Sequence, residues 1–159
     1  ADLRAALKPA FHPDIDVLFS VVGSWSDPKK GKDLAQAQYA QGADIILTIA
    51  GGSGVGAIQE ALRLNKYIIG VDSNTIPLAP GTILACALKR ADLAMNDVMR
   101  RAFSSALPYG ATERHGIAEG VIGFTFDDPT YLETIPEPIR KQMLEVFDAL
   151  KNGVIDPLS

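Results

Sequence analysis

Short apolar runs alternate with stretches of helical periodicity through the first half of the chain, and this alternation constrains the fold more than any other feature. The predicted strands are Val17–Val22, Asp44–Ala50 and Tyr67–Val71, and the predicted helices between them are Lys32–Gln41 and Val55–Leu64. Strands that are apolar on both faces are typical of parallel sheets covered by helices on both sides. The pattern therefore predicts an α/β fold in which right-handed crossovers bring the carboxyl ends of the strands to one edge.

The alternation becomes looser after Asp72, where a loop with two prolines interrupts it. The further elements predicted are strand Thr82–Leu88, helix Asp92–Phe103, strand Val121–Phe126 and helix Pro138–Leu150, and a helix over Ala1–Leu7 precedes all of the others. Apolar residues recur at helical spacing in the last two long helices, which predicts a core-facing stripe on each. These residues are Met95, Val98, Met99, Ala102 and Phe103 in one, and Ile139, Met143, Val146, Phe147 and Leu150 in the other.

Composition excludes several classes of function. The 159 residues are 47% hydrophobic and 21% charged, which is typical of one globular domain with a core. The net charge of −4 and the absence of a basic block argue against a nucleic-acid partner, and the apolar runs are too short to cross a bilayer. The single cysteine, Cys86, excludes an internal disulfide and is expected to be buried. His12 and His115 lack metal-ligand spacing, so we predict neither a metal nor a cofactor.

A glycine-rich segment follows the second predicted strand. Gly51-Gly52-Ser53-Gly54 connects this strand to a helix, and glycine allows the backbone to approach a ligand closely. The free amides at a helix start can also hold an anion or an oxygen-rich group. The alternative is a tight turn without a ligand, although four glycines within Gly51–Gly56 exceed what a turn requires.

Three other side chains at strand ends are candidates for ligand contacts. A carboxylate at Asp72 can accept two hydroxyl hydrogens, which suits a ribose diol, but an aspartate in Asp72-Ser73-Asn74 can equally serve as a turn or cap residue. Trp25, the only tryptophan, can stack on a planar base or a sugar, or else pack in the core or against another lobe. Lys89 can donate to a ligand, or can be solvated or salt-bridged.

The same region imitates a dinucleotide-binding fingerprint. Gly52-x-Gly54-x-x-Ala57 matches the glycine pattern, and Asp72 occupies the place of the acid that binds the ribose. The alternative function is therefore a Rossmann-like NAD(P)- or nucleotide-binding enzyme. A strand and a helix already precede the glycines here, whereas the fingerprint ordinarily follows the first strand of its domain, and no convincing catalytic set follows.

Ordered blocks of sequence resemble the basic membrane protein family, which are bacterial solute-binding lipoproteins that include purine-nucleoside receptors. The blocks are Gly23–Lys32, Gly42–Ile46, Ala50–Gly56, Gly70–Ser73, Ala79–Gly81 and Leu88–Asp92. The resemblance is strong from Asp14 to Phe103 and looser in the remainder. Asn74 departs from it, because many relatives carry a second aspartate there, and Leu47 stands where an aromatic residue is common.

The resemblance implies a type I periplasmic-binding fold that holds its ligand between two lobes, without catalysis. It implies a nucleoside-like ligand, an ABC importer permease as partner, and an extracytoplasmic place with a lipid anchor that this chain does not contain. By position, Gly51 and Gly52 would approach the ligand with backbone, Asp72 would take ribose hydroxyls, Lys89 would donate, and Trp25 would face the cleft.

Family members are longer, and the resemblance places residues 1–159 in the second, C-terminal lobe. The segment 107–159 is expected to include elements that belong to the first lobe. The absence of an initiator methionine suggests a mature segment or a fragment. Half of a cleft buries one face of a ligand, so we expect weak or no nucleoside binding by the 159 residues alone. A small regulatory or interaction domain derived from the same fold is a third interpretation.

Overall fold

The computed structural model describes residues 15–156, so the predicted helix Ala1–Leu7 lies outside the described residues. The helices are α1 (Pro28–Ala40), α2 (Gly54–Leu64), α3 (Ala91–Phe103), α4 (Pro129–Thr134) and α5 (Glu137–Lys151). The strands are β1 (Ile45–Leu47), β2 (Tyr67–Asp72), β3 (Ile83–Lys89) and β4 (Ile122–Phe124). Short 3₁₀ turns cover Gly51–Ser53 and Ile76–Leu78.

The strands form one sheet in the order β1-β2-β3-β4. The first three strands are parallel, with Leu47 opposite Ile69 and Gly70 opposite Cys86, and β4 pairs antiparallel with β3. The predicted α/β class with a mostly parallel, helix-flanked sheet is therefore confirmed. The carboxyl ends of β1, β2 and β3 lie at one edge, because parallel neighbours run in the same direction.

The prediction of a first strand is wrong. Val17–Val22 forms no strand, and the side chains of Phe19 and Val21 are 65% and 70% exposed. A strand needs a hydrogen-bonding neighbour, and none of the described residues 15–156 pairs with this run. Its apolar sequence predicted an extended segment, but sequence pattern alone does not supply the adjacent strand.

The core lies between the sheet, α1, α2 and α4. Eleven buried residues form it: Ala35, Tyr39, Ala57, Ala61, Ile68, Ile76, Ala79, Ile83, Ala85, Cys86 and Tyr131. The buried position predicted for Cys86 is confirmed. Helices α1 and α2 approach closely because of Gly56, where an added Cβ would overlap the carbonyl group of Pro28.

A buried carboxylate links the same two helices. Glu60 on α2 is fully buried and accepts a hydrogen bond from Arg63 Nε at 2.9 Å, and the ammonium of Lys32 on α1 lies 3.9 Å away. The hydrogen bond from Arg63 lowers the pKa of Glu60 against the effect of burial. Burial and the nearby Glu60 carboxylate raise the pKa of Tyr39 to about 12. Lys32 thus adds an electrostatic contact between α1 and α2, and Arg63 compensates the buried charge of Glu60 from within α2.

The two predicted apolar stripes are largely not core. No residue of α3 or α5 is buried within the described chain, and Met95, Met99 and Phe103 are exposed on α3. On α5, Phe147 contacts Phe126, but Ile139 and Met143 are exposed. Both segments form the predicted helices, but their apolar faces are not buried. Burial needs a covering element, and none of the described residues provides one. For the same reason β1 leaves Ile45 and Leu47 exposed, contrary to the expected burial on both faces.

Candidate functional site

The turn that carries Trp25 is fastened to the glycine segment by one buried serine. Ser53 Oγ donates to the carbonyl of Ser24 and accepts from the amide of Asp27, both at 2.8 Å. The amide of Ser53 donates to the carbonyls of Trp25 (3.3 Å) and Ala50 (3.1 Å). Ser53 is fully buried, so these bonds are shielded from water. Ser53 was not among the site residues predicted from the sequence, although it joins the two segments that were predicted to contact the ligand.

Gly51 and Gly52 lie directly against Trp25. A Cβ on Gly51 would come 3.3 Å from Cε3 of the indole ring, and one on Gly52 would come 3.2 Å from the Trp25 carbonyl oxygen. Gly51 also adopts φ +54°, in the left-handed region that favours glycine. Trp25 itself is 71% exposed, so the interpretation of this residue as a core tryptophan is wrong. The glycines let the exposed indole lie on the loop backbone at the edge of the sheet.

Two backbone amides at the start of α2, those of Ser53 and Gly54, already donate hydrogen bonds to carbonyl groups of the chain. Ser53 N donates to Trp25 and Ala50, and Gly54 N donates to the carbonyls of Gly51 and Gly52. A dinucleotide site places its pyrophosphate on such amides. The Trp25 carbonyl therefore takes one amide, that of Ser53, in the region where the Rossmann-like alternative requires phosphate.

Asp72 and Lys89 meet at the same edge of the sheet. Asp72 ends β2, Lys89 ends β3, and Lys89 Nζ lies 2.9 Å from Asp72 Oδ1. Both side chains are more than half exposed, so this is a solvent-accessible ion pair with modest stabilising value. Lys89 is thus salt-bridged to Asp72 in this chain, and the pair presents an acceptor and a donor side by side.

The backbone at Asp72 is unusual. Its φ is +69°, and the amide of Ser73 donates to the carbonyl of Val71 at 2.9 Å across it. This is the geometry of a classic γ-turn, which is rare and strained for a residue other than glycine. Strain of this kind concentrates at functional sites.

The five predicted residues form two contacting groups at one edge. Trp25 lies with Gly51 and Gly52 beyond β1, and Asp72 lies with Lys89 at the ends of β2 and β3. Because β1 and β2 are hydrogen-bonded neighbours, the two groups follow adjacent strands. Together they place an indole, a carboxylate and an ammonium at the ends of neighbouring strands.

The charged residues near His115 form a separate cluster. Arg101 on α3 binds Asp97 and also donates to Glu113 at 2.8 Å, while His115 Nε2 lies 3.6 Å from Glu113. Hydrogen bonding to Arg101 lowers the pKa of Glu113. These contacts hold the loop to α3.

Neither a cluster of metal-ligating side chains nor a membrane-spanning helix is present among the described residues 15–156. They contain no group of three histidine, cysteine, aspartate or glutamate side chains that could hold a metal ion. In the same part of the chain, no helix has the length and apolar character needed to span a membrane.

Comparison with known proteins decides the family. The model of the Bmp family, described as ABC transporter substrate-binding protein PnrA-like, matches residues 9–153. The chain belongs to this family. The Bmp resemblance deduced from the sequence blocks is therefore confirmed.

Individual relatives agree with the family match. The chain is 31% identical over 145 residues to basic membrane protein D of Borreliella burgdorferi (strain JD1), which covers 89% of this chain and 42% of that protein. It is 26% identical over 152 residues to the ABC transporter nucleoside-binding protein BmpA of Lactococcus lactis, which covers 85% of this chain and 43% of that protein. The chain thus spans less than half the length of these Bmp relatives.

A solved structure supports the fold. The crystal structure of an ABC transporter system solute-binding protein from Aeropyrum pernix K1 matches with a TM-score of 0.65 and 23% sequence identity. The match covers 94% of this chain and 44% of that one. At this identity the likeness shows that the Bmp chain shares the α/β fold, and nothing about its ligand.

Proposed function

We propose that this Bmp-family chain is the C-terminal lobe of the substrate-binding component of a bacterial ABC importer. Its ligand is nucleoside-like, and it binds without catalysis in a cleft between two lobes. The partner is the importer's permease, and the place is extracytoplasmic, with a lipid anchor in the full-length protein. The family supports the transport role, and the name of the Lactococcus lactis relative supports the ligand class.

One observation carries the ligand class. Asp72 and Lys89 present an acceptor and a donor 2.9 Å apart, and an exposed indole follows the neighbouring strand. A ribose diol pairs with a carboxylate acceptor and an ammonium donor. A purine or pyrimidine ring stacks on an exposed indole. The arrangement thus provides one group for each half of a nucleoside.

The lobe assignment is supported by the uncovered apolar surfaces. Met95, Met99 and Phe103 on α3 are exposed, and so are Ile139 and Met143 on α5, although their spacing is that of core-facing stripes. We propose that α3, and α5 of the segment 107–159, pack against the first lobe. Exposed apolar stripes of this kind mark interaction surfaces.

An NMR titration with inosine tests the ligand proposal. We expect fast-exchange shifts at the Trp25 indole, Asp72 and Lys89, with a dissociation constant on the order of 1 mM, because one lobe contacts one face of the ligand. Asp72→Ala should abolish the shifts. Asp127→Ala, a loss of charge at another exposed aspartate, is the matched control and should leave them unchanged.

Two results would contradict the proposal. Spectra that stay unchanged at an inosine concentration about tenfold above the expected dissociation constant would contradict the nucleoside ligand. Sub-micromolar binding would contradict the one-lobe assignment, because the described residues would then form a complete site. Shifts of the Gly52 and Gly54 amides with NAD(H), but none with inosine, would favour the Rossmann-like enzyme instead.

A further inference from the structure

We infer that Asn74 is a positioning residue, which holds the strained turn at Asp72 through a hydrogen bond to Asp128. The role in ligand binding rests on the function proposed above. Among the described residues, Asn74 bonds to the Asp128 carboxylate and to the amide of Ile76. It acts through Asp72, two residues before it.

Both polar atoms of the Asn74 side chain form hydrogen bonds. Its Oδ1 accepts a hydrogen bond from the amide of Ile76 at 3.1 Å, and its Nδ2 donates to Asp128 Oδ2 at 2.8 Å. The two bonds fix the orientation of the side chain, since one requires an oxygen and the other a nitrogen. An aspartate at position 74 could keep the first bond but not the second.

Asp128 is anchored in turn to the core. Its Oδ1 caps α4 by accepting from the amides of Thr130 and Tyr131 at 2.9 and 3.2 Å. Tyr131 is buried and packs edge-on against Phe124 of β4. The hydrogen bond from Asn74 is the foremost reason that the pKa of Asp128 is lowered, so the carboxylate is ionised and the bond is charge-assisted.

A second attachment holds the far side of the turn. The amide of Thr75 donates to Cys86 Sγ at 3.4 Å, and Thr75 Oγ1 lies 3.3 Å from the same sulfur. Sulfur is a weak acceptor, so this attachment is the weaker of the two. The strain at Asp72 must be balanced by its surroundings. The bridge from Asn74 to Asp128 ties the turn to the cap of α4, in addition to the exposed ion pair of Asp72 with Lys89.

A charge swap tests the bridge. In Asn74→Asp two carboxylates face each other. In Asp128→Asn the oxygen of the new amide caps α4, so that its NH₂ group faces the NH₂ group of Asn74. Both single variants should speed hydrogen exchange of the Ser73 amide by about tenfold, because that amide closes the γ-turn. In the double variant N74D/D128N an amide again donates to a carboxylate, and exchange should return to the wild-type rate.

The same four proteins are then titrated with inosine. The single variants should bind more weakly, and the double variant should recover. Asp127→Asn removes the same charge from the adjacent residue and is the control for general electrostatic effects. Melting temperatures and circular dichroism establish that each variant is folded, and Asn74→Ala replaces N74D if that variant unfolds.

The outcomes separate the bridge from the ligand. Wild-type exchange at Ser73 in both single variants, or a double variant as fast as the singles, would overturn the role of Asn74. If exchange responds as expected but wild-type protein gives no inosine shifts, the bridge is supported and the proposed ligand fails. If inosine binds and Ser73 does not respond, the proposed function stands and this inference is overturned.

Discussion

The central unit from α1 to β3 and the regions that flank it have similar apolar patterns but different surroundings. Between Pro28 and Lys89, periodic apolar residues such as Ala35, Ala61 and Ile68 are buried. In the flanks, equally periodic residues such as Met99 and Phe103 are exposed. Periodicity therefore specifies which residues share a face, whereas burial depends on the element that covers that face.

The largest expected effect lies in the central unit. Ile68→Ala should lower the free energy of unfolding by about 2–5 kcal/mol, because the side chain is fully buried in the sheet. Urea denaturation followed by circular dichroism measures the change. A loss below about 1 kcal/mol would mean that the core described for this unit is not tightly packed.

The contact between α1 and α2 should be the next most sensitive. Gly56→Ala should cost about 1–3 kcal/mol, because the new methyl group meets backbone rather than a flexible side chain. Gly116→Ala is the matched control, since its Cβ would lie 3.7 Å from Glu119 Oε2, which is an ordinary van der Waals distance. Equal stability of the two variants would contradict the close approach of the helices.

The buried carboxylate gives the central unit a pH dependence. The pKa of Glu60 is lowered in the folded chain, so its contribution to stability is present above the unfolded value of 4.5 and is lost as the pH falls toward the folded pKa. Glu60→Gln should cost about 1–3 kcal/mol at pH 7, and the wild-type advantage should shrink below pH 4.5. An advantage that is constant from pH 7 to about pH 3 would contradict an ionised Glu60.

The smallest effect is expected in the flank. Phe103→Ser should change the stability of the 159-residue chain by no more than about 0.5 kcal/mol, because the ring is 85% exposed. The same measurement, set beside Ile68→Ala, tests the contrast between the two regions directly. A cost similar to that of Ile68→Ala would show that α3 is covered, and the distinction between unit and flank would fail.

Much of the central unit could be predicted because its signals are local. The runs around Ile45, Ile68 and Ala85 became strands, and the strand ends placed Asp72 and Lys89 at one edge. The run Val17–Val22 did not become a strand, because strand formation needs a partner that its own sequence does not contain. Composition and period could not indicate whether such a partner is near.

The details that complete the site could not be predicted, because they depend on contacts between distant residues. Ser53 is an ordinary serine in a glycine segment, and only the fold brings it to Ser24 and Asp27. Asn74 reaches Asp128 across 54 residues of sequence. One signal was available for Asn74, since the sequence comparison with the family already marked it as a departure.

The account depends most on a nucleoside lying across the two groups at the sheet edge. Isotope-filtered nuclear Overhauser spectra of the chain with inosine measure this directly. The account predicts contacts from the Trp25 indole to the base protons and from the side chain of Lys89 to the ribose protons. Ribose contacts at the amides of Gly54–Ala57, with none between Trp25 and the base, would contradict it.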